Sequence, residues 1–295
     1  MVRPDPAAVT KALARRRVTP ADVTSAGAWP SWSWGVPKGP PGTFGKASGM
    51  TTILVTGGTG TLGRLVTEKL RADGHDVRVL SRHSEPYAVD LRKGGPALDA
   101  ALAGVETVVH CASSPNGGDE KAAGHLIPAA RRAGVAHLVY ISIVGVDRVP
   151  LPYYRAKLAV ERRIEESGLG WTVLRATQFH DLMATFLGTL TAPPLALLPA
   201  ALSDQPVEVS EAAARLAELA LTTPSGRVPD MGGPEIRSVP SLARAYLDAT
   251  GRNRRLLEVP LFGRTYGAFR AGGHLAPERA VGKGTFEEYL ARRFG

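Results

Sequence analysis

Cysteine is almost absent from this sequence: Cys111 is the only one among 295 residues, so the chain cannot form an internal disulfide. The same scarcity excludes C-x-x-C motifs, and the histidines show no spacing typical of metal ligands, so we expect no metal site. A chain without disulfides is typical of a reducing compartment, which predicts a cytoplasmic location.

Long uninterrupted apolar runs are also missing. Residues 1–25 contain no apolar segment of the kind found at the centre of a signal peptide. Residues 182–203 carry no charge, but Pro193, Pro194 and Pro199 interrupt them, and proline in a helix interior removes a hydrogen bond and clashes. We therefore expect no membrane span and interpret this stretch as an apolar flap over a pocket.

Acidic residues are outnumbered, 27 Asp and Glu against 36 Lys and Arg, which gives a net charge of +9. Residues 1–50 hold seven Lys or Arg and two Asp, so this segment carries +5 and the remaining 245 residues carry only +4. No zinc finger or RNP-type motif accompanies the charge. We therefore expect no nucleic-acid partner.

Residues 1–49 differ in composition from the rest of the chain, with seven Pro and six Gly and with tryptophans at Trp29, Trp32 and Trp34. Such a segment cannot build a core, so we predict a disordered N-terminal extension. Two origins remain open: a tail whose tryptophans dock on a partner, or translation that begins at Met50, directly before the first predicted strand.

From residue 51 onward, short apolar runs alternate with amphipathic helical patterns. Strands are predicted at 52–57, 76–82, 88–91, 106–112, 137–142 and 171–176, and most lack polar alternation, as in strands buried on both faces. This alternation predicts an α/β fold, a Rossmann-type doubly wound parallel sheet, over residues 50–190. The looser pattern of residues 191–295 predicts a small C-terminal α/β lobe of the same fold, which would contact the substrate.

A glycine-rich turn follows the first strand and opens a helix in TGGTGTLGR, with glycines at Gly57, Gly60 and Gly63. A pyrophosphate must approach the backbone closely there, and the helix N-terminus offers free N–H groups and a positive dipole end. The turn therefore predicts a dinucleotide site. Its other candidate contacts lie between the glycines, at Thr59, Thr61 and Leu62.

The end of the second strand bears on the choice of nucleotide. An acid there would hold the ribose 2′-hydroxyl of NAD, but this sequence has Ser81 and Arg82, a hydroxyl and a guanidinium suited to a 2′-phosphate. We therefore predict NADP as the cofactor, with NAD left open. Further cofactor contacts are expected beside the adenine and after the fourth predicted strand, at Asp90, Leu91, Cys111, Ala112 and Ser113.

Four longer motifs carry a family resemblance over residues 51–290: LVYISIVGVD, PYYRAKLAVE, WTVLRATQF and GGPE, together with TGGTGTLG. They resemble the atypical short-chain dehydrogenase/reductase superfamily, in particular its NmrA-like NAD(P)H-binding group. The resemblance implies a Rossmann-type domain and a small substrate lobe. Some members of this group reduce quinones or small carbonyls, and others bind the nucleotide as redox-sensing regulators without known turnover.

The resemblance assigns catalytic roles to Tyr153 and Lys157, which are four residues apart and share a helix face. The tyrosine would donate a proton to the substrate oxygen, and the lysine would bind the nicotinamide ribose and lower the tyrosine pKa. Tyr154 competes for the same role. The family's usual serine or threonine is missing, because its position falls on Ile143 or Val144, with Ser142 just before them.

The segment after the strand at 171–176 is expected to meet the nicotinamide and the substrate, because it follows the carboxyl end of that strand. Thr177 is the predicted cofactor contact. The predicted substrate contacts are Ser142, Gln178, Phe179, His180 and Met183, with His180 as an acid or base of lower rank than Tyr153. The apolar members predict a small apolar substrate.

Two hypotheses follow. The first is an NADP-dependent oxidoreductase that transfers hydride to a small apolar carbonyl or quinone, with Tyr153 as the acid. The second is a non-catalytic NAD(P)H-binding redox sensor that acts through a protein partner.

Overall fold

A six-stranded parallel sheet forms the centre of the computed structural model, which describes residues 49–295. The predicted N-terminal extension therefore lies outside the described residues, apart from its last position. The strands of the central sheet are β1 Thr52–Thr56, β2 Asp76–Leu80, β3 Thr107–His110, β4 His137–Ile143, β5 Gly170–Ala176 and β8 Gly226–Arg227. They lie side by side in the order β2-β1-β3-β4-β5-β8.

The helices among the described residues are α1 Thr61–Ala72, α2 Pro96–Leu102, α3 Asp119–Arg132, α4 Pro152–Glu165, α5 His180–Leu190, α6 Val209–Ala220, α7 Val239–Ala249, α8 Arg264–Arg270 and α9 Phe286–Phe294. Five of these helices cover the two faces of the central sheet. Helices α1 and α6 pack on one face through buried residues such as Val66 and Leu216. Helices α2, α3 and α4 pack on the other through Leu102, Leu126 and Val160. The predicted α/β, Rossmann-type doubly wound sheet is confirmed.

The strand order reverses between β1 and β3. The chain leaves β1 through α1 to reach β2 on one side, then crosses to β3 on the other side. In open parallel sheets a crevice opens outside the carboxyl ends of the strands at such a point. The fold therefore places the glycine turn after β1 beside the residues that follow β3.

The strand predicted at 88–91 is absent. Only one parallel bridge forms there, between Ser81 and Ala88, together with a hydrogen bond from the Val89 N–H to the Ser81 carbonyl. The chain then turns away, because the Asp90 carboxylate accepts hydrogen bonds from the backbone and side chain of Arg92. Among the described residues, β2 is therefore the strand at this edge of the central sheet.

The C-terminal part of the chain builds a smaller α/β arrangement. It contains β6 Leu195–Pro199 paired in parallel with β10 Arg255–Val259, and β7 Ser203–Asp204 paired antiparallel with β9 Arg237–Ser238. Helices α5, α7 and α9 enclose a core that includes Leu187, Leu242 and Phe286. The described residues group as one compact unit, so the domain boundary near residue 190 stays a prediction.

The uncharged stretch at 182–203 is ordered secondary structure in place of the predicted flap. It contributes most of α5, then a turn through Pro193 and Pro194, then β6. Within residues 49–295, no helix is both long and apolar enough to cross a bilayer.

Candidate active site

A cleft of about 360 Å³ opens at the carboxyl ends of β1, β2 and β3. Its lining is drawn from the glycine turn, the end of β2, the 89–92 turn and the segment between β3 and α3. The predicted cofactor residues in this lining are Gly57, Thr59, Gly60, Ser81, Arg82, Asp90, Leu91, Cys111, Ala112 and Ser113. The structure thus brings these residues together, although they come from four separate segments of the chain.

The glycine turn is shaped by backbone contacts that leave no room for side chains. A Cβ at Gly57 would lie 2.8 Å from the Ala112 Cα, and one at Gly63 would lie 2.3 Å from the Gly57 carbonyl oxygen. Gly57 also has a φ of +66°, which favours glycine.

Helix α1 then begins at Thr61 with no side-chain cap, so its first N–H groups have no acceptor from its N-cap residue. Backbone amides at a helix N-terminus, next to a turn whose glycines leave the backbone open, fit the pyrophosphate of a dinucleotide. Of the other turn residues predicted to contact the cofactor, Leu62 buries its side chain in the core, so its contribution would be its backbone N–H.

At the end of β2, the groups that face the cleft are polar and basic. The Ser81 hydroxyl lies 2.5 Å from the Ser84 hydroxyl, and Arg82 is exposed in the cleft wall. The hydrogen bonds from Arg92 lower the pKa of the Asp90 carboxyl to about 2. Asp90 therefore lines the cleft with a carboxylate already bonded to Arg92, whereas we predicted it to be free for the adenine.

Tyr153 lies in the first turn of α4, which begins at Pro152. Its hydroxyl is 2.8 Å from the Ser113 hydroxyl, which belongs to the cleft lining. The side chain is half-buried and packs against the apolar cluster of Val146, Val149 and Tyr154, as do Ile143, Leu151 and Phe269. The tyrosine therefore stands between the cleft and an apolar cluster.

Lys157 lies one turn further along α4 and is 3% exposed. Its Nζ donates to the Ile141 carbonyl at 3.3 Å and lies 3.8 Å from the Asp119 carboxylate. Burial lowers the pKa of this lysine, although the negative charge of Asp119 opposes the shift. The ammonium also lies 4.9 Å from the centre of the Tyr140 ring and 5.9 Å from that of Tyr153.

Tyr154 points away from the cleft. It is 2% exposed, packs edge to face on Phe269, and its hydroxyl accepts a hydrogen bond of 2.7 Å from the Gln178 amide. Burial raises the pKa of this phenol well above its ordinary value. Of the two adjacent tyrosines, only Tyr153 reaches a residue of the cleft lining.

Several predicted substrate residues are not accessible. Ser142 is 2% exposed, and its hydroxyl has no hydrogen-bond partner among the described residues. It alternates along β4 with the half-buried Ile143, and Val144 is completely buried. A substrate contact of Ser142 stays a prediction, and no hydroxyl stands in its place on the neighbouring apolar residues.

The segment after β5 serves mainly to join the C-terminal part to the sheet. The Thr177 hydroxyl is buried and donates to the Gln205 carbonyl, so it is already engaged within the fold. His180 is 0% exposed, its Nε2 faces the Pro206 carbonyl, and Met183 packs in the core of α5, α7 and α9. All three side chains are buried, as that of Lys157 is, and their contacts with cofactor or substrate stay predictions.

Gln178 and Phe179 remain partly exposed candidates. The Gln178 amide is held by Tyr154, which places it near the apolar cluster beside Tyr153. Phe179 bridges to Val207 and packs against the core under α1 and α6. Their substrate roles stay predictions, with Gln178 the better placed of the two.

Asp119 is a site residue that the sequence did not single out. Its buried carboxylate accepts hydrogen bonds from the Ser113 hydroxyl at 2.6 Å and the Ser114 N–H at 2.9 Å, in addition to its contact with Lys157. The only local signal was an acid in the first turn of a helix, which usually serves the helix dipole. Its approach to Lys157 depends on the packing of α3 beside α4.

A second buried charge cluster lies deeper under α4. Arg175 on β5 donates to both oxygens of Glu161, at 2.9 and 2.6 Å, and to Asp147 at 2.9 Å. Burial alone would raise the pKa of Asp147, but the hydrogen bond and charge of Arg175 outweigh it and lower that pKa. This cluster ties β5, α4 and the loop after β4 together.

No group of three or more His, Cys, Asp or Glu side chains suited to a metal occurs in residues 49–295. A cavity of about 500 Å³ between α7 and α9 shares no lining residue with the cleft. The residues around the β1–β3 crevice therefore form the candidate site.

Comparison with known proteins also indicates that the chain binds NAD(P)H. The profile of the NAD(P)H-binding family matches residues 57–192. A reductase of (4-alkanoyl-5-oxo-2,5-dihydrofuran-3-yl)methyl phosphate from Streptomyces griseus is 31% identical over 198 residues, which cover 62% of this chain and 68% of the relative.

Two solved structures share the fold. The NADPH-dependent quinone oxidoreductase of Escherichia coli, solved with NADPH, has a TM-score of 0.68 at 19% identity, covering 82% of this chain and all of that one. The UDP-glucose 4-epimerase of Thermus thermophilus, solved with NAD, has a TM-score of 0.63 at 19% identity, covering 83% and 99% of the two chains. One of these neighbours was solved with NADPH and the other with NAD. By its profile match and its Streptomyces griseus relative, the chain belongs to the NAD(P)H-binding family.

Proposed function

We propose that this protein is an NADP-dependent reductase that transfers hydride to a small apolar carbonyl or quinone. The observation that carries the proposal is the position of Tyr153. Its hydroxyl lies 2.8 Å from the cleft residue Ser113, one helical turn before the buried Lys157. This arrangement matches a proton donor beside a dinucleotide site.

Each residue of the pair has a separate task in the proposed reaction. The reduced nicotinamide supplies the hydride when it is bound. Tyr153 donates its phenolic proton to the substrate oxygen, and Lys157 donates hydrogen bonds to the nicotinamide ribose. The half-buried position of Tyr153 limits water around the proton that moves.

Ser81 and Arg82 support NADP over NAD. Both line the cleft at the end of β2, where an acid would otherwise accept from a ribose 2′-hydroxyl. The nearest acid in the lining, Asp90, is bonded to Arg92. An exposed guanidinium in this place favours a cofactor with a 2′-phosphate.

The apolar cluster beside Tyr153, with Ile143, Leu151 and Phe269, supports a small apolar substrate. The Streptomyces griseus relative and the E. coli neighbour are named as a reductase and a quinone oxidoreductase, which supports the reaction class. The relative's substrate carries a phosphate, so a phosphorylated enone belongs in the test panel. A cytoplasmic location also stays part of the proposal and rests on the single cysteine.

The test is a titration of purified protein with NADPH and with NADH, followed by addition of quinones, aldehydes and enones in the same cuvette. We expect tighter binding of NADPH and its oxidation in the presence of at least one acceptor. Binding of neither coenzyme, or equal binding of both, would contradict the cofactor assignment. Background oxidation across the whole panel would contradict the reaction.

The alternative is a non-catalytic NAD(P)H sensor, and one observation favours it: the family's usual hydroxyl is replaced by the apolar Ile143 and Val144. A missing donor beside the substrate oxygen weakens transition-state stabilisation. A sensor predicts tight cofactor binding without turnover and a partner protein retained on the immobilised chain only when NADP(H) is present. Turnover with any acceptor of the panel would contradict it.

A further inference from the structure

Asp119 reaches the Tyr153–Lys157 pair from a different helix. It is the first residue of α3, whereas the pair lies on α4, and its side chain is almost completely buried. Three groups surround its carboxylate: the Ser113 hydroxyl at 2.6 Å, the Ser114 N–H at 2.9 Å and the Lys157 ammonium at 3.8 Å. Donors from the segment after β3 and from α4 therefore converge on this buried carboxylate.

The donor of each hydrogen bond between Tyr153, Ser113 and Asp119 can be assigned. A serine hydroxyl has a single proton, and that of Ser113 is donated to Asp119. In the contact of 2.8 Å between Ser113 and Tyr153, the tyrosine must therefore be the donor. The chain runs from Tyr153 through Ser113 to Asp119, which requires a protonated phenol.

The charges around Tyr153 favour the same state. Lys157 on its own helix is the cation that would favour a phenolate, and Asp119 on α3 offsets it. Tyr140 on β4 is a neutral phenol, and the apolar Phe269 of α8 packs against the same cluster as Tyr153. No other charged group is placed against this hydroxyl by the described residues.

The tyrosine pKa changes accordingly. Burial raises the pKa of the Tyr153 phenol, and the negative charge of Asp119 adds to the rise. A hydroxyl that donated to Tyr153 would lower this pKa, but Asp119 takes the proton of Ser113. The site thus differs from one in which a lysine charge alone acts on the tyrosine.

We propose that Asp119 is a positioning residue that fixes Ser113 as an acceptor, offsets the charge of Lys157 and holds Tyr153 in its neutral, proton-donating form. This inference rests on the proposed reductase function for its meaning, but the charge state of Tyr153 exists without any substrate. In the proton transfer, the Tyr153 O–H bond breaks, the substrate oxygen takes the proton, and water reprotonates the phenolate. A site held in this state favours reduction, because alcohol oxidation requires the phenolate as a base.

The test measures the ionisation of Tyr153 without a substrate. The near-ultraviolet absorbance of phenolate is followed with rising pH for the wild-type chain and for Tyr153→Phe, over the range in which circular dichroism stays native. The difference isolates Tyr153. We expect a midpoint above the ordinary tyrosine value of about 10, and a midpoint at or below that value would overturn the proposal.

Two substitutions then separate charge from shape, each paired with its own Tyr153→Phe double variant. Asp119→Asn removes the charge and should lower the midpoint by about one pH unit. Asp119→Glu keeps the charge and should leave the midpoint near that of the wild type. Asp99→Asn is the control, because Asp99 is an exposed carboxylate on α2 paired with Arg132, and it should have no effect.

An unchanged midpoint in Asp119→Asn, or an equal fall in Asp119→Glu, would overturn the proposal. If Asp119→Asn does not fold, the wild-type midpoint and Asp119→Glu still decide it. These titrations need neither coenzyme nor acceptor, so the proposed function can fail in its own assay while this inference stands, and the reverse also holds.

Discussion

In the glycine turn after β1, close backbone contacts set the shape of the cleft wall, whereas the groups around Lys157 are side chains from several elements. The glycine turn is shaped by contacts of Gly57 with Ala112 and of Gly63 with Gly57. The lysine is surrounded by Asp119 from α3, Tyr140 from β4 and Tyr153 from its own helix. The first region tolerates no added atoms, and the second depends on specific charged and polar groups.

This difference separates the effects of substitution. Removing the Tyr153 hydroxyl or the Arg175 guanidinium should change chemistry or stability while coenzyme binding persists, because neither group belongs to the glycine turn or to the proposed ribose contact. Adding atoms to the turn should abolish coenzyme binding while the buried side chains keep their contacts. Four substitutions test this contrast.

The largest effect is expected for Tyr153→Phe. Loss of the proton donor should lower kcat by about 10²- to 10⁴-fold, and NADPH binding should be retained. Stopped-flow or steady-state oxidation of NADPH with the best acceptor measures it. The control is Tyr154→Phe, which loses only the hydrogen bond to Gln178 and should keep its turnover. Equal activity of Tyr153→Phe and the wild type would remove the proposed acid.

Arg175→Leu should cost about 3–5 kcal/mol of unfolding free energy, because it leaves the buried Glu161 carboxylate without its partner. Urea unfolding followed by circular dichroism measures this. Arg132→Ala breaks an exposed pair with Asp99 and should cost about 0–1 kcal/mol. A small effect at Arg175 would mean that the cluster under α4 does not hold the fold.

Gly63→Val should weaken NADPH binding by about 100-fold or abolish it, because the new side chain collides with the Gly57 carbonyl and displaces the turn. Calorimetric titration measures the affinity. Gly267→Ala on α8 is the control, since nothing lies within 4 Å of its added Cβ. Normal NADPH affinity in Gly63→Val would show that the turn does not bind the pyrophosphate.

Arg82→Ala should have the smallest of the four effects. Loss of one charge-assisted contact should weaken NADPH binding by about 10- to 100-fold, with the NADH affinity unchanged. Arg215→Ala removes an exposed arginine of α6 paired with Glu218 and should change neither affinity. A parallel fall for NADPH and NADH would show that Arg82 does not read the 2′-phosphate.

The backbone-built region was largely predictable from sequence. The glycine spacing, the apolar strand before it and the helix after it are neighbours in the chain, so a local pattern specifies the turn. The strand predicted at 88–91 failed because its pairing depends on where the chain goes next, and Asp90 turns it away by bonding Arg92. Local apolar composition does not encode that turn.

The side-chain-built region was predicted only in part. Tyr153 and Lys157 lie on one helix, so their spacing reveals them. Asp119 lies 34 residues before Tyr153 in the sequence, and its carboxylate reaches Lys157 only because α3 packs beside α4. His180 follows β5 as predicted, but the aromatic rings of α9 pack against it, and the local sequence does not reveal this contact with a distant element.

The position of Asp119 at the first residue of α3 has a consequence for protein engineering. An acid in the first turn favours the helix, and the same carboxylate sets the charge next to Lys157. Helix stability and the proposed tuning of Tyr153 therefore depend on one side chain. Libraries selected for heat resistance alone should retain this aspartate, while those selected for alcohol oxidation should lose it and melt at lower temperature.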